Sequence, residues 1–148
     1  MIVPAIIEIP KGSRAKFEWK DGRWQLSRFT HEGYPAAYGF IPGTMADDGD
    51  PLDVLVLSSQ PLATMDTLRI RPIGVLRMID HGYRDNKVLA VDVNDEVYGR
   101  ATDIEAVPQS FTTRVSKFYH AMGKRDVSGG WAPRVEAEAT IVTLVRRA

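Results

Sequence analysis

The stretch "MADDGDPLDVLVL", residues 45–57, sets Asp47, Asp48, Asp50 and Asp53 directly against a run of strand-forming aliphatic residues. Gly49 and Pro51 mark a tight turn, and the apolar run after it reads as a buried strand. Crowded carboxylates repel one another, which raises their pKa values unless cations neutralise them. The plainest account is a solvated turn, because Asp, Gly and Pro all favour turns. The sharper account is a cation site, in which Asp48, Asp50 and Asp53 bracket one turn in the pattern D-G-D-P-x-D. The spacing lacks the longer ligand set and terminal Glu of a helix–loop–helix calcium loop. Oxygen donors in a chain without cysteine favour Mg2+ or Mn2+ over structural zinc. Asp47 reads as a bystander.

Outward from this strand, the first two-thirds of the chain reads as β structure. "VPAIIEIP" is a strand bounded by prolines, and "RAKFEWK" alternates so that Lys16 and Glu18 face one way and Phe17 and Trp19 the other. Asp21-Gly22 then predicts a hairpin into "WQLSRF". Further strands are expected at "DVLVLS", "TLRIRPIGVLRMID" and "NKVLAVDV", with a bend or bulge at Pro72. So many short strands favour a closed or nearly closed barrel, which removes exposed edges. After Pro108 the period changes. Phe111, Val115, Phe118, Tyr119 and Met122 form a helical stripe, and Gly123 is expected as its C-cap. From Pro133, a first-turn position, Val135, Ala139, Val142 and Val145 mark the apolar side of a second helix, with a terminal strand as the alternative. Arg146 and Arg147 suit the negative end of that helix. One domain spanning 1–148 is expected.

A second acidic segment, "MIDHGYRDNK", places Asp80 and Asp85 around a loop with Lys87 just beyond. Two acidic loops at one end of a barrel can share metal ions that hold a water, lower its pKa and clamp attacked and leaving oxygens. Lys16, Arg28 and Lys87 are cations available to phosphoryl oxygens, although singly each reads as an ordinary surface charge. Tyr38 is placed at the site, whereas Tyr34 is expected to pack half-buried with its hydroxyl at water. His31, His81 and His120 form no ligand motif, and Gly129-Gly130 has no phosphate-loop pattern. Trp19 and Trp24 read as core or subunit packing.

Composition excludes several classes. The 148 residues carry 19 basic and 19 acidic side chains and no cysteine. Thiol catalysis and disulfides are therefore out, and no basic excess supports nucleic-acid binding. A neutral surface puts up little resistance to self-association. The opening "MIVPAIIEIPKGSR" is interrupted by Glu8 and reads as a strand rather than a leader, and nothing approaches membrane-spanning length. A cytoplasmic protein with no membrane partner is expected.

"DGDPLDVLVL", with "IIEIPKGS", "KFEW", "SRF", "YPAAYGFIPG", "RPIGVLRMID" and "DNKVLAV" in order, resembles the soluble family I inorganic pyrophosphatases. The resemblance is to the bacterial type, with a divergent C-terminal third. It implies a mainly β fold with α, a closed five-stranded OB-like barrel flanked by helices. It implies Mg2+-dependent hydrolysis of inorganic diphosphate by direct attack of a metal-activated water, with Mn2+ as a substitute ion. Carried over by position, Asp48, Asp53, Asp80, Asp85 and Glu8 belong to the metal centre and Asp50 accepts the water's proton. Lys16 and Arg28 contact phosphoryl oxygens, Tyr38 lines the nucleophile side, and Glu18 and Lys87 complete the cavity. The resemblance also implies a homo-oligomer, a hexamer by preference. Two departures stand out. His81 replaces an acidic residue of the second loop, and Met122 and Gly123 stand where the family carries a Tyr-Lys pair, with Lys124 one position on. Two alternatives follow: a phosphoanhydride hydrolase of altered preference, or a non-catalytic barrel used for binding or assembly.

Overall fold

A computed structural model of the protein describes residues 1–123 and 125–146, with the side chains of Phe17 and Trp19 outside the described set. The expectations placed on those two side chains, on Lys124 and on Arg147 therefore lie outside the described residues.

The strands in chain order are β1 (Val3–Ile9), β2 (Ala15–Lys20), β3 (Arg23–Phe29), β4 (Ala37–Ile41), β5 (Leu52–Leu57), β6 (Thr67–Leu76), β7 (Ile79–Asp80), β8 (Tyr83–Arg84) and β9 (Lys87–Asp92). Helix α1 (Gln109–His120), strands β10 (Arg125–Asp126) and β11 (Trp131–Pro133), and helix α2 (Arg134–Leu144) follow. Five strands close a mixed barrel in the order β1-β4-β5-β9-β6, and β6 pairs back to β1. Among the described residues only β5 and β9 run parallel; β11 adds to β6 outside the ring. The barrel flanked by two helices is the expected fold class.

Local chemistry accounts for the joints. Asp21 and Gly22 both take positive φ, 54° and 75°, giving the two-residue turn between β2 and β3. The register of β6 against β9 slips between Pro72 and Gly74, where proline cannot donate to the ladder. Strand β4 was not anticipated. Its Gly39 packs so tightly on β1 that a Cβ there would strike the Ile6 carbonyl oxygen. The long run expected to Asp80 breaks after Leu76, and its end forms a small separate sheet, β10-β7-β8.

Period-two alternation divides β5 and β9 between two apolar clusters. Val54 and Val56 join Ala5, Ile7, Val88 and Ala90 in one; Leu55 and Leu57 join Tyr38, Leu89 and Val91 in the other. Helix α1 covers the second cluster with Val115, Phe118 and Tyr119, of which Val115 and Phe118 each contribute about 1.5–3 kcal/mol of burial. The α1 stripe is as expected, but the helix stops at His120 with Ala121 as its C-cap, and Gly123 takes φ 75° beyond it. Helix α2 exists, with Pro133 as N-cap rather than in the first turn, and it buries a different side from the one expected. Ala137 and Ile141 face the core, while Val135, Val142 and Val145 are exposed. Its apolar residues are spread around the axis, so periodicity does not select a face. Asp95 ties the ends of the parallel pair together, accepting from Ser59 N at 2.8 Å and Tyr98 N at 2.9 Å. Burial works against its charge, but these bonds hold its carboxyl down at about 2. No helix is long and apolar enough to cross a membrane among the described residues.

Candidate active site

The acidic loop is shaped by its own hydrogen bonds. Thr44 Oγ1 donates to Ile41 O at 2.6 Å and accepts from Leu52 N at 2.9 Å, which fixes where β5 begins. Asp48 Oδ1 accepts from Asp50 N at 3.0 Å, and Ala46 N donates to Asp50 O at 2.7 Å. Gly49 turns at φ 88°, a conformation that favours glycine. Asp53 follows on β5, on the same face as Leu55 and Leu57, and Lys87 opens β9 on the face of Leu89 and Val91. Strand alternation thus places both at the open end of the cluster that α1 covers.

Lys87 is 4% exposed. Its Nζ donates to Asp85 Oδ1 at 2.9 Å and to Asp53 Oδ2, and it lies 5.5 Å from the ring centre of Tyr119 and 5.9 Å from that of Tyr38. Burial alone would push its ammonium pKa down, but the two carboxylates outweigh burial and hold it above the usual lysine value. Burial pushes Asp85 up to about 6 against the pull of Lys87, with Asp53 adding to the rise. Asp50 is raised by burial and then by Asp48, Asp53 and Glu18, with Lys20 opposing.

These groups share one cavity of about 520 Å³. Glu8, Lys16 and Glu18 stand on one wall; Tyr38, Asp48, Asp50 and Asp53 follow; Asp80, Asp85 and Lys87 complete the acidic side. Arg28 is not brought into that wall. It pairs with Lys16 in the hairpin register and is exposed. Asp47 turns away to Arg84, at 3.5 Å. Tyr34 departs from expectation: it is 1% exposed, lines the cavity, and burial pushes its phenol well above the ordinary value. The rings of Tyr38 and Phe118, 5.2 and 4.7 Å away, enclose it.

The donor set suits a hard divalent cation, being carboxylate oxygen almost throughout. Asp80 Oδ1 is buried with no hydrogen-bond donor among the described residues. His81 Nδ1 lies 2.6 Å from it. No three of these side chains converge on one point among the described residues, and Lys87 stands between Asp53 and Asp85. The cavity therefore supplies metal-binding chemistry spread over several walls.

A family model described as inorganic pyrophosphatase matches residues 5–148. The chain belongs to the inorganic pyrophosphatase family. It is 42% identical to soluble inorganic pyrophosphatase 2 of Chlamydomonas reinhardtii, over 84% of this chain and 67% of that one. It is 36% identical to an inorganic pyrophosphatase of Sulfolobus acidocaldarius, over 99% and 91%. The crystal structure of inorganic pyrophosphatase from Thermus thermophilus superposes with a TM-score of 0.89 at 35% identity, covering 97% of this chain and 89% of that one. An alga, an archaeon and a bacterium are thus all similar to it. Membership of the pyrophosphatase family implies a divalent-metal-dependent reaction.

Four lining residues with polar or ionisable side chains carry no assignment from the sequence. Lys20 shares the face of Lys16 and Glu18 by simple alternation, so its signal was present. Tyr34 and Tyr119 carry only a packing signal in the sequence. Arg125 carried no signal, because only the chain reversal after α1 brings it to the cavity, 3.4 Å from Asp80.

Proposed function

We propose that the protein hydrolyses inorganic diphosphate to two phosphates with Mg2+. The observation that carries this reading is one cavity, in a pyrophosphatase-family chain, that gathers Asp48, Asp50, Asp53, Asp80, Asp85 and Lys87. Asp48, Asp53, Asp80, Asp85 and Glu8 would hold the metal ions. Mg2+ bound there supplies Lewis acidity, lowering the pKa of a water and neutralising phosphoryl charge. Asp50 takes the proton of the attacking water, since its neighbours make it a stronger base than an ordinary aspartate. As the water's oxygen bonds to one phosphorus, the bridging P–O bond breaks and its electron pair leaves with the second phosphate. Lys16 meets phosphoryl oxygens from the hairpin, with Arg28 beside it at the exposed edge. Lys87 keeps Asp53 and Asp85 from repelling each other, Glu18 adds to the acidic wall, and Tyr38 limits the space for the nucleophile. No side chain forms a covalent bond to phosphorus, so positioning and electrostatics do the catalysis.

The test is phosphate release from diphosphate with Mg2+, with Mn2+ and with excess chelator. Turnover with Mg2+ that chelator abolishes is expected; equal rates in all three conditions would reject the reading. A phosphoanhydride hydrolase of altered preference is favoured by one observation, Met122 in the cavity lining. Faster release from tripolyphosphate or a nucleoside triphosphate than from diphosphate would select it.

We further assign the protein to the bacterial type, divergent in its C-terminal third and working in the cytoplasm as a homohexamer. Zero net charge and the exposed valines of α2 support self-association. Light scattering on the eluting protein is expected to give six chains, and a monomer would refute the assembly.

A further inference from the structure

Helix α1 brings to the cavity a polar group that the reaction described above does not use. Tyr119 is 2% exposed, and its buried hydroxyl has no hydrogen-bond partner among the described residues. Buried polar atoms are paired in the great majority of cases, so an orphan of this kind calls for a partner from outside the chain. The ring is not free to seek one elsewhere. Phe118 meets it edge-on at 5.2 Å, and the Lys87 ammonium lies 5.5 Å from its centre. Burial, then Tyr34, Asp53 and Asp85, hold the phenol protonated, which makes it a hydrogen-bond donor facing an acidic cavity.

Arg125 stands on the same side. Its side chain is 11% exposed, and β10 pairs it opposite Asp80 on β7. It is held only loosely there: Nη2 is 3.4 Å from Asp80 Oδ2, and Nη1 is 3.4 Å from Met122 O. Among the described residues, the lining between the two offers only Met122, whose side chain donates nothing. A donor and a guanidinium on a wall otherwise faced by carboxylates suit an anion with several oxygens, and the Arg fork matches a phosphoryl group.

We propose that Tyr119 and Arg125 bind the diphosphate itself: the Tyr119 hydroxyl donates to one phosphoryl oxygen, and Arg125 exchanges its weak contact with Asp80 for phosphoryl oxygens. The inference rests on reading the cavity as a diphosphate site.

Imidodiphosphate, which is not hydrolysed at its bridge, is the probe, titrated calorimetrically with Mg2+ into wild type, Tyr119→Phe, Arg125→Ala and Arg125→Lys. Tyr119→Phe is expected to bind about 10- to 100-fold more weakly, the range for a hydrogen bond to a charged group. Its Tm is expected to equal or exceed wild type, because the change removes an unpaired buried hydroxyl. A purely structural tyrosine would show the reverse, a lower Tm with unchanged affinity, and that result would overturn the proposal. Arg125→Lys is expected to retain more affinity than Arg125→Ala; equal affinity in all four proteins would also overturn it. If wild type binds imidodiphosphate and hydrolyses diphosphate while the variants match it, this inference alone fails. If wild type does neither, the functional reading beneath it fails too.

Discussion

Replacing Asp50 by asparagine lowers kcat for diphosphate hydrolysis by about 100- to 10,000-fold, the span that a positioned general base contributes. Stability changes by no more than about 0.5 kcal/mol, because the exposed side chain leaves the strand ladder untouched. The loop does not need the carboxylate to keep its shape. It is Asp50's backbone that accepts from Ala46 and donates to Asp48, and asparagine keeps both bonds. What asparagine lacks is the ability to take a proton. Partial desolvation at the cavity mouth, together with Asp48, Asp53 and Glu18, raises Asp50 above an ordinary aspartate, so it accepts a proton more readily. Steady-state kinetics with Mg2+ checks the rate, and urea unfolding checks the fold. A variant with wild-type kcat would place the base elsewhere in the cavity. A variant that loses both rate and stability would mean that the carboxylate shapes the loop.

The sequence exposed the acidic half of this site because its residues lie in two short loops, each next to a strand whose period is two. Asp53 and Lys87 come together because β5 and β9 pair in parallel, a pairing that the two strand signals alone do not declare. The other half was harder for physical reasons. Strand β4 lies between Pro35 and Pro42 and is buried on both faces, so "AYGFI" shows none of the alternation that marks a half-exposed strand. Tyr119 was legible as one of the stripe residues of α1, but a stripe reports only that a ring is buried. Whether its hydroxyl finds a partner depends on what the barrel presents opposite it. Arg125 depends on the turn after α1 and on pairing with β7, a contact 45 residues apart in the chain (125 − 80) that no local pattern encodes. The face of α2 failed for a related reason. Val135, Ala139, Val142 and Val145 fit a helical side as well as Ala137 and Ile141 do, and packing against β6 and β11 decided between them.

Lys87→Met is the most damaging single change expected for the fold, costing about 3–5 kcal/mol in the absence of divalent ions. Methionine fills nearly the same volume, so the loss is electrostatic. Lys87 is 4% exposed and is the cation shared by Asp53 and Asp85, the second of which is itself 8% exposed. Without the ammonium, two carboxylates face one another where little water can screen them. One must take up a proton or the region must open. Added Mg2+ is expected to restore part of the loss, because an ion that binds the folded state and not the unfolded chain stabilises it by mass action. Urea unfolding with chelator, then with Mg2+, measures both effects. The pairing itself is tested by a double-mutant cycle with Asp53→Asn. Removing both charges is expected to cost at least about 1 kcal/mol less than the two single losses added together. If the two losses add within about 0.5 kcal/mol, Asp53 and Lys87 are energetically independent. The ammonium would then stabilise the barrel through Asp85 and the two tyrosine rings beside it.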